Sequence, residues 1–172
     1  MMLTQIANQI GPGQKRAQAL SLLEQARSML SASPRVENQE QMSALLEIAR
    51  AFSRYDASRA FEIVEPLLDQ FNELSAAALV MNGFGQEIYQ DGELQMQNGN
   101  SVSNVANQLV QTLSTLTPAN FDRAKAGADR LERQEVRVTA YLAIAQQAMG
   151  LDENRRSTGS VQIGSRTMII RQ

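Results

Sequence analysis

Residues 38–73, NQEQMSALLEIARAFSRYDASRAFEIVEPLLDQFNE, read as two amphipathic helices joined by a short turn, and this stretch decides the fold class. In its first half Met42, Leu45, Ala49 and Phe52 recur at helical spacing. Leu46 and Ile48 widen that apolar stripe to roughly 100° of the helix surface, so one face is expected to be buried. Two starts fit the first helix: Asn38 paired with Gln41, or Ser33 with Pro34 in the first turn. Asp56, after Arg54 and Tyr55, is placed to cap the second helix, where Ala60, Val64, Leu67 and Phe71 form a stripe flanked by Phe61, Ile63 and Leu68. Such a pair packs antiparallel across a turn of a few residues. Pro66 lies inside the second helix, but the stripe runs through it, which predicts a kink and not an end.

The stretch recurs in part. At an offset of 96, Ala44, Leu46, Ile48, Ala49, Asp56 and Arg59 match Ala140, Leu142, Ile144, Ala145, Asp152 and Arg155. Ordinary residue usage would give about one identity over that length. Ala49 and Ala145 each follow an isoleucine and are expected at equivalent close helix contacts. At an offset of 64, Arg59, Ala60, Leu67 and Gln70 match Arg123, Ala124, Leu131 and Gln134. The two offsets differ, so the repeat is a loose helical hairpin without a strict period.

At 172 residues the chain fits one domain. A chain of this size buries about 70% of the surface it exposes when unfolded, and needs no staple. It has no Cys, His or Trp, and its 43% apolar residues include only 5% aromatics, so the core is expected to be Leu, Ala, Ile, Val and Met. Residues 1–10 place Leu3, Ile6, Ala7 and Ile10 at helical spacing but lack a basic lead, so they do not read as a signal peptide. No run approaches the roughly 18 apolar residues of a membrane span. Cytoplasmic location is the default expectation.

Gly11-Pro12-Gly13 breaks the chain before a helix over 14–31 with Leu20, Leu23 and Leu30 inward. Residues 74–81 read as a separate small-residue helix closed by Gly83. In 87–97 the Asp91-Gly92 pair suits a two-residue hairpin with Tyr89 opposite Leu94; a polar loop is the alternative. Helices resume through Val102, Val105, Leu109, Leu113 and Leu116; through Phe121, Ala124, Ala128 and Leu131; and through Tyr141, Ile144, Ala145 and Ala148. The division expected is a helical domain over 1–153 and a Ser/Gly/Arg-rich tail over 154–172, either disordered or docked. A second hairpin over about 160–170 would let the tail, with Arg155, Arg156, Arg166 and Arg171, dock on the acidic middle near Glu87, Asp91 and Glu93.

Without His or Cys, thiolate zinc sites, catalytic triads and imidazole acid–base chemistry have no residues to work with. Glu62, Glu65, Asp69 and Glu73 line one side of the second helix, where carboxylates can share a metal or move protons; the plainer account is a solvated face opposite a buried stripe. Asp91-Gly92-Glu93 lacks the spaced ligands of a calcium loop. Tyr55, Tyr89 and Tyr141 fit packed rings better than catalytic phenols. A net charge of −2, with seven acids and no base over 60–121, argues against general nucleic-acid binding.

The segments LLEIARAFSRYDASRAFEIVEPLLDQFNELSAAALVMNGFG and FDRAKAGADRLERQEVRVTAYLAIAQ resemble uncharacterised bacterial helical-repeat proteins of the broad tetratricopeptide-like and HEAT-like α-solenoid class. The likeness covers roughly 14–149; the tetratricopeptide glycine and tryptophan positions are not visible in it, and it carries over no binding residues. It implies a helical interaction scaffold. The expectation is therefore an all-α fold of antiparallel helical hairpins in a repeat-like array, with a small β-hairpin. It is expected to be a non-catalytic protein–protein interaction scaffold with a protein or peptide partner and no catalytic, cofactor or metal residues. The alternative is a small-molecule or metal site on the acidic face 62–73.

Overall fold

Asn38, and not the Ser33-Pro34 pair, starts the first helix of the deciding stretch. In the computed structural model, which describes residues 16–30, 35–82, 88–96 and 100–150, its side chain accepts from the Gln41 N–H at 2.8 Å. Gln41 reaches back, its Oε1 accepting from the Glu37 N–H at 2.9 Å, one residue before the cap, so the chain entering the helix is held as well. The fold is mainly helical: α1 (Arg16–Leu30), α2 (Gln39–Ser53), α3 (Ala57–Met81), β1 (Tyr89–Gln90), β2 (Glu93–Leu94), α4 (Ser101–Leu116), α5 (Phe121–Asp129) and α6 (Gln134–Ala148). Residues 1–15, the Gly11-Pro12-Gly13 break, Ser33-Pro34, Gly83 and the tail from 151 lie outside the described residues.

Asp56 caps α3 as expected, accepting from the Arg59 N–H at 3.2 Å. Helices α2 and α3 pack together, and a connection of only 54–56 makes them antiparallel. The expected break before residue 74 is absent: α3 is one helix of 25 residues that passes through Pro66 and continues to Met81. Nothing between Leu67 and Met81 breaks it. Asn72, the residue best suited to cap a new helix there, instead bridges the chain after α5, its Nδ2 donating to Arg130 O at 2.8 Å and its Oδ1 accepting from Glu132 N at 3.1 Å.

Helix α4 packs against α2, α3, α5 and α6. Val102, Val105, Ala106, Leu109, Val110, Leu113 and Leu116 are all buried in it. Ser103, Thr112 and Thr117 are buried as well, and each hydroxyl donates to its own helix or cap, to the carbonyls of Asn100, Gln108 and Leu113 at 3.0, 2.7 and 3.0 Å. Satisfied locally, these hydroxyls enter the core without the cost of an unpaired polar group. Helix α1 packs on α2 through Ala19, Leu23 and Ala26, while Leu20 and Leu30 are only partly buried.

The Asp91-Gly92 hairpin is present, with Tyr89 paired to Leu94 as expected. Asp91 (φ 51°) and Gly92 (φ 82°) both take left-handed backbone, the geometry of the primed turn that matches strand twist. In α6 the expected stripe is corrected. Ile144 is buried with Val136 and Ala140, whereas Tyr141, Ala145 and Ala148 face outward. The helix carries apolar residues on every side, so periodicity alone does not choose its inner face.

Candidate functional site

The acidic side of α3 is the first place to look for chemistry, and its carboxylates point to separate partners. Glu65 accepts from Arg123 Nε at 2.7 Å, Asp69 from Arg130 at 2.5 Å, and Glu73 stands 3.4 Å from Arg35. The Glu65 carboxylate holds Arg123 even more firmly protonated than usual, and the guanidinium lies 4.7 Å from the Phe61 ring centroid. These pairs tie α3 to α5, to the turn after it and to the connection before α2. Among the described residues no three His, Cys, Asp or Glu side chains converge to hold a metal ion.

The hairpin is docked and not free. Tyr89 is buried and donates its hydroxyl to Ser75 O at 2.8 Å. Asn82, just past α3, donates to Tyr89 O at 3.0 Å and accepts from the Ile88 and Tyr89 amides. From the other side Arg133 stacks over the Tyr89 ring at 4.7 Å and donates to Gly92 O at 2.5 Å, while Glu135 accepts from Leu94 N at 2.8 Å. Tyr89 is thus a packed ring whose hydroxyl is consumed structurally. The expected docking of the tail on this segment lies outside the described residues.

Tyr141 is exposed, hydrogen-bonded to Asp129, and faces Lys125, which lies 3.0 Å from the same carboxylate. The phenol's hydrogen bond, then the ammonium, hold the Asp129 carboxyl below its usual range, and Asp129 pushes the Tyr141 phenol up.

Two clefts open beside the connection entering α2. One, of about 230 Å³, lies under the end of α1, with Leu45, Ile63 and Leu67 in its floor and Arg27, Arg35, Glu62, Pro66 and Gln70 around it. The other, of about 310 Å³, lies between Met42, Leu74 and Val105. Val36 lines both, and its N–H donates to Gln70 Oε1 at 2.9 Å.

Exposed apolar side chains recur at the end of α3, with Val80 at 76% and Met81 at 61%, and along α6. The 96-residue offset places Met42, Leu45, Leu46 and Ala49 of α2 against Val138, Tyr141, Leu142 and Ala145 of α6. The four α2 residues are 3%, 8%, 0% and 0% exposed. Their counterparts stay apolar but are open, Val138 at 47%, Tyr141 at 38% and Leu142 at 58%, with Ala145 exposed too. Met149, one turn on, extends the stripe at 64%. The expected equivalence of Ala49 and Ala145 therefore fails at the level of burial: α2 is enclosed by α1, α3 and α4, whereas α6 packs on α4, α5 and β2 from one side. The 64-residue echo fares better. Asp56 and Asn120 are corresponding N-caps, and Ala60 with Ala124 and Leu67 with Leu131 are buried alike. Comparison of the chain with protein-family models, with curated proteins and with solved structures finds no match.

Proposed function

We propose that this chain is a non-catalytic interaction scaffold, a repeat-like helical array whose protein partner packs on the outer side of α6. The observation that supports this reading is the apolar stripe Val138, Tyr141, Leu142 and Ala145, left open where the matching stripe of α2 is buried. A helix apolar all round is normally enclosed, and exposed contiguous apolar surface of this kind marks interaction sites. Among the described residues α2 packs on the helices α1, α3 and α4, so a helical segment is the natural cover for α6.

A photo-crosslinking residue at Leu142, in cells that make the chain, tests the proposal. Capture of a discrete protein is expected at 142 and not at exposed Glu40 on the far side of the echo. Equal capture at both positions, or none at 142, would refute it.

The second reading, a metal or small molecule on the acidic face 62–73, is less well supported because Glu65, Asp69 and Glu73 each face a guanidinium. Divalent magnesium, calcium, manganese or zinc should therefore give no saturable rise in melting temperature. A rise that disappears in Glu65→Gln or Asp69→Asn would favour the metal site.

A further inference from the structure

We propose that the cleft under the end of α1 is a second recognition site, distinct from the α6 face, for an acidic peptide segment that presents one apolar side chain. Its floor is apolar and buried, through Leu45, Ile63 and Leu67. Its volume of about 230 Å³ falls below the range of drug-sized pockets, so it admits a side chain rather than a cofactor.

Charge at the rim selects the partner. Arg27, in the last turn of α1, has no carboxylate within ion-pair distance among the described residues. Arg35 meets Glu73 at 3.4 Å, but both side chains are largely exposed, so an incoming carboxylate can take that place at little cost. The one acid in the lining, Glu62, is exposed, so the lining sets two guanidiniums against one carboxylate. Guanidinium groups favour carboxylates because two parallel N–H donors match two oxygens.

A peptide is favoured over a free carboxylic acid by the backbone of α3. Pro66 has no N–H, so the Glu62 carbonyl lacks its helical donor, and both residues line the cleft. An extended segment supplies the missing donor from its own amide, next to the side chain that fills the floor and the carboxylates that meet Arg27 and Arg35.

The test is an amide-resonance titration of the whole chain with a short synthetic peptide, acetylated and amidated, carrying a leucine between glutamates. Saturable shifts are expected at Leu30, Val36, Leu45 and Ile63, and not on α6. Replacing the glutamates by glutamine, or making the Arg27→Gln/Arg35→Gln variant, should weaken binding by about tenfold or more. Pro66→Ala, which restores the N–H, should raise the melting temperature while weakening binding. The variants are surface changes, and an unchanged circular dichroism spectrum verifies that they fold. Equal binding of the glutamine peptide, shifts confined to α6, or no saturable shift at millimolar peptide would overturn the proposal. Loss of binding at this cleft leaves crosslinking at Leu142 unchanged, so the two proposals fail separately.

Discussion

Gly127 sits in α5 where a Cβ would come within 2.9 Å of Leu113 Cδ2 and 3.4 Å of Leu68 Cδ1. Both leucines are buried at the contact with α3 and α4, so their methyl groups have little room to move away. Alanine would recover about 1 kcal/mol of helix propensity, which offsets part of the crowding. Valine adds two methyl groups without that relief. Gly127→Val should cost about 1–3 kcal/mol in urea denaturation; wild-type stability would show that α5 does not approach α4 this closely. The Asp129–Tyr141 contact makes a second prediction at this scale. The raised phenol contributes stability below its ordinary value near 10 and loses it as pH rises through the folded value; the depressed carboxyl contributes above about 3.9 and loses it as pH falls. Both groups are exposed to solvent, so the effect belongs to titration more than to stability. Asp129→Asn should bring the ionisation of Tyr141, followed by its ring resonances, back down. No change would mean that the contact is not populated in solution.

At the scale of elements, much was legible. Asp56 marks a helix start because a short polar side chain reaches the third backbone N–H; Asn38 is one of two starts the pattern allows for α2, and Asp91-Gly92 suits a hairpin, with a polar loop as the alternative, because both residues accept left-handed backbone. What was not legible depends on partners far away in the chain. The continuity of α3 past residue 73 rests on Asn72 bonding to Arg130 and Glu132, which no local pattern announces. Likewise Val136, Ala140 and Ile144 were not separable from the outward residues of α6, since both sets are apolar at helical spacing. The spacing of the α3 carboxylates fits a solvated face, and the arginines that meet three of them lie in other parts of the chain. The contrast between the matched alanines gives a direct check. Ala49→Leu should cost about 1–3 kcal/mol by overpacking an enclosed site, and Ala145→Leu should cost almost nothing. Equal losses in thermal melts would mean that α6 is enclosed as α2 is.

For the whole molecule, α4 is the element against which both parts of the helical body are assembled: α2 and α3 on one flank, α5 and α6 on another. Its Leu109, Leu113 and Leu116 are fully buried, and the hairpin is fastened across the ends of α3 and α6 by Asn82, Arg133 and Glu135. Against this consolidated interior, the open stripe of α6 stands out as apolar surface that the described fold does not use. Urea denaturation of Leu142→Glu beside Leu109→Ala tests that most directly. Leu109→Ala should lose about 2–5 kcal/mol, as a core truncation does. Leu142→Glu should stay within about 0.5 kcal/mol of the parent, as a surface change does. A loss in Leu142→Glu comparable to that of Leu109→Ala would mean that the chain itself covers this side of α6, and the stripe would not be a face for a partner.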